Sequence, residues 1–370
     1  MVRGDEEADI VFMGRALELA DKGLGLAAPN PMVGAVVVSG GRVVGEGWHE
    51  GPGTPHAEIL ALREAGDRAR GATLYVTLEP CSHHGRTGPC ASAVAGSGVE
   101  RVVASIRDPN PQVDGRGFEL LRRAGLRVDV GACRSEGEEL ILGFATHART
   151  GRPHVTLKLA ASLDGKIAAR DGSSTWITGE DARRDAHRLR ARSGAVIVGA
   201  GTAISDRPRL TVRLEGYRGR QPLRVVADSS GRTPADGPLF DGSAPTLIAT
   251  SRRVPDEVRR AWVEGGASVV VVVGDESVRL SDLLGHLGEE GIQEVLIEGG
   301  QTLAWSAVEE GVVDRLVLYL APKLIGGESA PGILGGKGFG TLADAPGVDL
   351  RSVEMVGPDV KVVGDVHRDR

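Results

Sequence analysis

One histidine and two cysteines, each directly following a proline, constrain this chain more than any other feature. They stand in Thr54-Pro55-His56-Ala57-Glu58, Glu79-Pro80-Cys81 and Gly88-Pro89-Cys90. If these side chains hold one zinc ion, three separated segments must end at a common point, and one coordination position stays open for water or substrate. A carboxylate beside an open zinc, here Glu58, implies hydrolytic chemistry. The local sequence suits a built site. Thr54 and Gly88 can cap helices and Pro55 and Pro89 fit the first helical position, which would put His56 and Cys90 in the first turns of two helices. There the positive helix ends favour thiolate and help keep an imidazole neutral, the forms a metal needs.

His56 and Glu58 are two residues apart and so do not share a helical face, yet at a helix tip both can converge on one ion. Zinc deaminases pair an H-x-E element with P-C…C, the glutamate acting as proton shuttle and not as ligand. The competing reading is structural zinc, which usually has four protein ligands; His83 or His84 could supply the fourth. The spacing from Cys81 to Cys90 is also longer than the usual C-x-x-C. A structural ion would leave Glu58 and the two Pro-led helix starts unexplained.

A chain of 370 residues exceeds one ordinary core. Two domains of roughly 150 to 220 residues are therefore expected. The formal net charge of −6 and the lack of a Lys/Arg run speak against a nucleic-acid groove. Neither end reads as a secretory signal or a membrane span. With two of three cysteines committed to the metal, no disulfide framework is expected and a reducing cytoplasm is inferred. Cys133 reads as a packing residue.

Two α/β blocks follow from the apolar pattern. In the first, a loose acidic tail of about ten residues precedes a helix over 10–23. Strands at 33–38 and 43–48 form a hairpin across Gly40-Gly41, a helix covers 57–65, and buried-type strands run at 74–78 and 102–106. A polar segment, Arg149-Thr150-Gly151-Arg152-Pro153, marks the boundary, giving domains 1–150 and 151–370. The second block has strands at 154–160, 195–198, 223–227, 246–249, 269–273, 294–297 and 316–320, suited to a mainly parallel, doubly covered sheet. A closing antiparallel hairpin is expected at 353–356 and 361–366. Two glycine elements, Gly199-Ala200-Gly201-Thr202 and Glu298-Gly299-Gly300-Gln301-Thr302, follow strands and could cradle phosphate. Neither is a full G-x-G-x-x-G, but two in one domain favour a dinucleotide.

Several motifs resemble those of the bacterial bifunctional riboflavin-biosynthesis deaminase/reductase family. Pro29-Asn30-Pro31-Met32-Val33-Gly34, His56-Ala57-Glu58, the run Glu79 to Thr87 and Asp108-Pro109-Asn110-Pro111 are similar to its deaminase half. Residues 157–166, Trp176-Ile177-Thr178, Leu210-Thr211-Val212-Arg213 and Glu298-Gly299-Gly300 are similar to its reductase half. The resemblance spans almost the whole chain, in order. It implies an α/β chain with an N-terminal cytidine-deaminase-like α/β/α domain and a C-terminal dihydrofolate-reductase-like α/β domain. It also implies a phosphorylated pyrimidine substrate, deaminated with Zn2+ and then reduced with NADPH on its ribosyl group, and a homo-oligomer with no nucleic-acid or membrane partner.

Position by position, the resemblance makes His56, Cys81 and Cys90 zinc ligands and Glu58 the proton donor. It places Asn30, His49, His83 and Arg86 near the deaminase substrate. In the reductase half it makes Ser174, Arg190, Leu210, Arg213 and Glu298 substrate-lining. The cofactor-lining set is Ala160, Trp176, Thr202, Asp206, Ser229 and the stretch Gly300, Gln301, Thr302, Leu303, Ala304, Trp305, Ser306. Lys158 and Asp206 are candidates to polarise or protonate the sugar, although a lysine at a strand end can equally snorkel to solvent. Two departures stand out: Arg207 replaces the second of a common aspartate pair, and Ala27-Ala28 replace a frequent Thr-His. A competing function is a nucleoside or nucleic-acid base deaminase with a fused accessory domain, which would need a basic, strand-tracking surface.

Overall fold

The structure is a computed structural model that describes residues 3–82, 88–272 and 277–367. The chain divides into two compact units, Met1–Gly151 and Arg152–Arg370. Among the described residues no helix is long and apolar enough to cross a membrane.

Unit 1 runs α1 (Arg3–Asp21), β1 (Gly34–Ser39), β2 (Arg42–Trp48), α2 (Ala57–Ala65), β3 (Thr73–Leu78), α3 (Cys90–Gly96), β4 (Arg101–Ile106), α4 (Arg116–Arg123), β5 (Arg127–Val130), α5 (Arg134–Leu140) and α6 (Leu142–Thr150). The sheet order is β2-β1-β3-β4-β5. Strand β1 is antiparallel to β2 and β3, and β3, β4 and β5 are parallel. Gly40 and Gly41, both at positive φ, make the hairpin turn, a conformation that costs glycine little.

Strand alternation supplies two cores. Ala35, Val37, Leu74, Val76, Val102 and Ala104 face α2, α3 and α4, and Val36, Val38, Tyr75 and Val103 face Met13, Ala16 and Leu19 of α1. Both faces are covered, as uninterrupted apolar strands require. Glycines let the helices sit on the sheet. A Cβ on Gly47 would lie 2.3 Å from the Ala57 carbonyl oxygen, and one on Gly45 2.1 Å from that of Ala61. This contact sets the height of α2, and with it the position of the metal-binding segment.

The expected acidic tail is instead the first turns of α1. Its cause is long-range: Asp9 takes a two-pronged ion pair from Arg101 at 2.8 and 2.7 Å and a hydrogen bond from the Tyr75 hydroxyl at 2.9 Å. The helix starts are also shifted. Helix α2 begins at Ala57 with His56 as its cap residue, and α3 begins at Cys90 after Pro89. The Thr54 hydroxyl, expected to cap, donates to the Gly51 carbonyl at 2.7 Å. Strand β5, short and half-exposed, carried too weak an alternation to be read from sequence.

Unit 2 runs β6 (His154–Ser162), α7 (Glu180–Arg192), β7 (Ala195–Gly199), α8 (Ala200–Asp206), β8 (Leu223–Asp228), β9 (Thr246–Thr250), α9 (Asp256–Glu264), β10 (Ser268–Val271), α10 (Leu280–Glu289), β11 (Glu294–Glu298), α11 (Gln301–Glu309), β12 (Arg315–Ala321), β13 (Val348–Val356) and β14 (Asp359–Val366). Its sheet order is β10-β9-β8-β7-β11-β6-β12-β14-β13. The seven strands from β10 to β12 are parallel, and β13 and β14 close the sheet as the expected antiparallel hairpin. Residue 273, the expected end of one strand, lies outside the described residues.

After β7 the chain runs outward to β10; β11 then returns beside β7, and β12 lies beyond β6. Connections therefore reverse between β7 and β11, and a crevice opens over the carboxyl ends of such a pair.

The glycine contacts give a paired stability test. A Cβ on Gly34 would fall 2.0 Å from the Ala16 carbonyl oxygen, whereas one on Gly14 would meet nothing within 4 Å. Gly34→Ala is expected to destabilise unit 1 by about 2 kcal/mol or more. Gly14→Ala is expected to stabilise it by about 0.5–1 kcal/mol. Urea unfolding followed by circular dichroism distinguishes the two.

Candidate active sites

The His56, Cys81 and Cys90 donor atoms all lie within 4.8 Å of one another. His56 Nδ1 is 3.0 Å from Cys90 Sγ and 3.7 Å from Cys81 Sγ, and the Cys90 amide donates to Cys81 Sγ at 3.3 Å. That amide is the first of helix α3, so the helix end supports negative charge on sulfur. The Cys81 thiol is pulled down to about 4, first by its hydrogen bond with Cys90 and also by His56. The Cys90 thiol is pushed up by the same bond and by burial. Two sulfurs and one nitrogen are a donor set that zinc accepts, and among the described residues no fourth His, Cys, Asp or Glu joins the cluster.

Glu58, one residue into α2, is 3% exposed. Burial raises its carboxyl to about 7. A carboxyl poised near neutrality can both take and release a proton. Beside it, the His49 ring stands edge-on to the His56 ring with centroids 5.2 Å apart. The Asn30 side-chain amide meets His49 Nε2 at 2.9 Å, leaving Nδ1 facing the Pro55 carbonyl at 3.5 Å. Burial, and then His56, hold His49 below its ordinary value, so it stays a neutral acceptor. Thus Asn30 and His49 are brought to the metal cluster, while His83 and Arg86 lie outside the described residues.

A residue not singled out from sequence organises this site. Glu79, 3% exposed, lies at the end of β3, two positions before Cys81. Its Oε2 accepts from the amides of Asp108 at 3.2 Å and Gly115 at 2.9 Å, and its Oε1 from those of Gly117 at 2.9 Å and Phe118 at 3.3 Å. One carboxylate thereby ties residues 108–118 and the start of α4 to the strand end that carries Cys81. Gly117 is required at this junction, since a Cβ would lie 2.0 Å from the Pro80 carbonyl oxygen. Only the motif Glu-Pro-Cys hinted at such an anchor.

In unit 2, Lys158 of β6 and Glu298 of β11 are register partners. Arg190 of α7 forks onto Glu298, Nε to Oε1 at 2.5 Å and Nη2 to Oε2 at 2.7 Å, and also donates to the Thr211 carbonyl at 3.2 Å. Burial pushes the Glu298 carboxyl up, but the Arg190 charge and hydrogen bonds, with Lys158, bring it below its ordinary value. Burial, reinforced by Arg190, lowers the Lys158 ammonium. The Lys158 Nζ stands 5.7 Å over the Tyr319 ring, whose hydroxyl donates to Asp185 at 2.7 Å. Arg213 lies near this group, its amide donating to His187 Nδ1 at 3.3 Å. Burial, then Arg190 and Arg213, depress His187 to about 4. Neither Tyr319 nor His187 had a signal in the sequence.

The glycine elements take distinct forms. Gly199 caps α8 and Gly300 caps α11, so both helices point amino ends at the crevice between β7 and β11. A Cβ on Gly300 would sit 3.3 Å from Thr202 Oγ1, which shows how closely the two cradles approach. The fit to a pyrophosphate is by backbone amides.

Within the stretch from Gly300 to Ser306 the environments diverge. Leu303 and Ala304 are buried in the core, and Trp305 packs on Phe339 with ring centroids 5.0 Å apart. The helix mouth offers Gly300, Gln301 and the exposed Thr302, while the Ser306 hydroxyl bonds back to the Thr302 carbonyl. Leu210, 1% exposed, packs inward at φ +53°. Ser229 Oγ accepts the Val278 amide at 2.8 Å. Ala160 is half-buried on β6; Ser174 and Trp176 lie in the loop before α7, the Trp176 ring 66% exposed beneath Arg183. Asp206 is exposed at the carboxyl end of α8, bonded by the Ser205 hydroxyl at 2.6 Å. The carboxylate that the register brings to Lys158 is Glu298, not Asp206. Arg207 turns away toward Asp236 at 3.7 Å.

Fold and geometry define a two-part enzyme, one unit with a His-Cys-Cys cluster beside a buried glutamate and the other with a mainly parallel sheet that carries a charged group. Two family models match: the cytidine and deoxycytidylate deaminase zinc-binding region over residues 6–106, and the RibD C-terminal domain over 153–362. The riboflavin biosynthesis protein RibD of Escherichia coli K12 is 44% identical over 363 residues, covering 95% of this chain and 98% of its own. That of Bacillus amyloliquefaciens is 42% identical over 369 residues, covering 97% and 99%. Among solved structures, RibD of Acinetobacter baumannii superposes with a TM-score of 0.85 at 38% identity, covering 98% of this chain and 99% of that one. The diaminohydroxyphosphoribosylaminopyrimidine deaminase/5-amino-6-(5-phosphoribosylamino)uracil reductase of Thermotoga maritima gives 0.85 at 35%, covering 98% and 100%. The chain belongs to the RibD family, the bifunctional deaminase/reductases of riboflavin biosynthesis. The family and fold class implied by the motifs hold.

Two expected outcomes follow from this geometry. Glu79→Gln puts an amide donor against backbone donors, so it is expected to lower zinc retention under chelator challenge more than Glu58→Gln does; metal analysis after dialysis reads this. His187, depressed from 6.5 to about 4, binds fewer protons folded than unfolded between those values. Its contribution is present above pH 6.5 and is lost as pH falls through that window. The melting temperature should therefore fall less between pH 7 and pH 4.5 in His187→Gln than in the parent.

Proposed function

We propose that the chain catalyses two successive steps on one phosphorylated pyrimidine. Unit 1 hydrolyses the ring amino group of 2,5-diamino-6-ribosylamino-4(3H)-pyrimidinone 5′-phosphate to give 5-amino-6-(5-phosphoribosylamino)uracil. Unit 2 reduces the ribosyl group with NADPH to give the ribityl product. The observation that carries this reading is the buried Glu58 beside the His56, Cys81 and Cys90 cluster, in one chain with the Lys158, Glu298 and Arg190 group.

His56, Cys81 and Cys90 would hold the zinc, which when bound would acidify a water for attack on the ring carbon. Glu58 would take protons from the attacking water and hand one to the ring nitrogen and one to the leaving amine; its value near 7 lets it serve in both directions. Asn30, oriented by its bond to His49, keeps its carbonyl oxygen and second N–H for a pyrimidine edge.

In unit 2 the amino ends of α8 and α11 would hold the dinucleotide, which when bound supplies a hydride to the anomeric carbon. Lys158, its acidity raised by burial, gives a proton to the sugar oxygen as the ring opens, and Glu298 holds it in place. Three cations, Lys158, Arg190 and Arg213, interact with the Glu298 carboxylate, which favours a further anion such as the substrate phosphate. A homo-oligomer is supported by β13, where Leu350, Val353 and Met355 are 65%, 61% and 64% exposed. The free thiols of Cys81, Cys90 and Cys133 suit a cytoplasmic location.

Separate substitutions test the two halves. Glu58→Gln is expected to cut ammonia release by about 10²-fold or more with zinc content unchanged. The same variant should still reduce the uracil intermediate at the parental rate. Lys158→Met should do the reverse. Retained ammonia release in Glu58→Gln would overturn the deaminase assignment.

A further inference from the structure

We infer that Arg232 and Arg252, on the loops after β8 and β9, bind the 2′-phosphate of NADPH and set the preference for it over NADH. This rests on the reductase reading above. The sheet order β9-β8-β7-β11-β6 sets the geometry. Lys158 and Glu298 mark the reacting end on β6 and β11, and the start of α11 after β11, packed close to Thr202 after β7, marks the pyrophosphate. An extended dinucleotide that continues in the same direction reaches the loops after β8 and β9, a run of roughly 19 Å at about 4.8 Å per strand.

At that end the usual preference for NADH has been removed. A carboxylate closing a strand here would normally accept the ribose 2′-hydroxyl. Asp228 closes β8, but it is 1% exposed. Its Oδ1 accepts from the amides of Ser230 at 3.1 Å and Gly231 at 2.9 Å, and its Oδ2 from that of Thr233 at 2.6 Å. The acid is consumed inside its own turn.

That turn also presents the cations. The Thr250 hydroxyl donates to the Asp228 carbonyl at 2.7 Å, and the Ser251 hydroxyl to the Ser229 carbonyl at 2.7 Å. A Cβ on Gly231 would lie 3.0 Å from Val254 Cγ1, so the two loops are pressed together. Arg232 and Arg252 emerge from this joined pair. Both are exposed, and neither has an ion-pair partner among the described residues. Arg232 uses only Nε, donating to Ser230 Oγ at 3.1 Å, so its terminal nitrogens remain available. A dianionic phosphomonoester meets guanidinium forks with charge-assisted bonds, whereas a ribose hydroxyl gains little from them.

Calorimetric titration of the full-length chain with NADPH, NADH, 2′,5′-ADP and 5′-AMP tests the inference without turnover. The parent should bind NADPH at least about tenfold more tightly than NADH, and 2′,5′-ADP more tightly than 5′-AMP. The double variant R232Q/R252Q should lose about tenfold or more in NADPH and 2′,5′-ADP affinity, with NADH affinity within about twofold of the parent. The retained NADH affinity reports that unit 2 of the same sample is folded. Unchanged preference in the double variant, or parallel weakening of both dinucleotides, would overturn the inference. A parent that binds NADH as well as NADPH overturns it while sparing the reductase reading; a parent that binds neither removes both.

Discussion

Two sulfurs and an imidazole nitrogen held within 4.8 Å of one another repel, once the thiols have lost their protons, unless a cation lies among their lone pairs. Much of unit 1 serves to hold them there. Helix α2 is seated by the bare backbone of Gly45 and Gly47, so His56 and Glu58 arrive at a fixed height over the sheet. Helix α3 starts at Cys90, and its first amide points at Cys81. Glu79 fastens the loop on the far side with four amides. Burial then does two things at once: it strengthens the demand for a metal and raises Glu58 into the range where a carboxyl can shuttle protons.

Unit 2 solves an opposite electrostatic problem. In its charged group Lys158, Arg190 and Arg213 surround Glu298, the carboxylate that Arg190 forks onto. A group of this kind favours an anionic ligand, as the phosphate of the proposed substrate would be. The direction of the sheet supplies the rest. Because β6, β7, β8, β9 and β11 are parallel, every loop that follows them opens on the same edge, and successive strands can read successive parts of one long ligand.

Much of this was legible in the sequence, for identifiable reasons. Both sheets were readable because their strands are apolar runs buried on both faces, as in β1, β3, β4 and β7. The metal triad was readable because each member follows a proline. What escaped depended on contacts distant in sequence. Helix α1 extends through an acidic stretch because Asp9 finds Arg101, and no local pattern reports that pair. Glu79 and Tyr319 act through partners 29 to 39 and 134 residues away, respectively. Strand register, unknowable from one sequence, decides that Lys158 meets Glu298 while Asp206 stays at the exposed end of α8. The long stretch from Gly300 to Ser306 shows the converse: a run of neighbouring residues shares a helix but not an environment, since Ala304 is in the core and Thr302 is exposed.

The central claim is that unit 1 holds a zinc with an open position and not a structural ion. X-ray absorption at the zinc edge of the purified chain tests it most directly. Two sulfur scatterers near ~2.3 Å, one imidazole nitrogen near ~2.0–2.1 Å and one further light ligand that is exchanged by an added small anion are predicted. Two sulfurs with two imidazoles, indifferent to added anion, or no bound zinc, would contradict it.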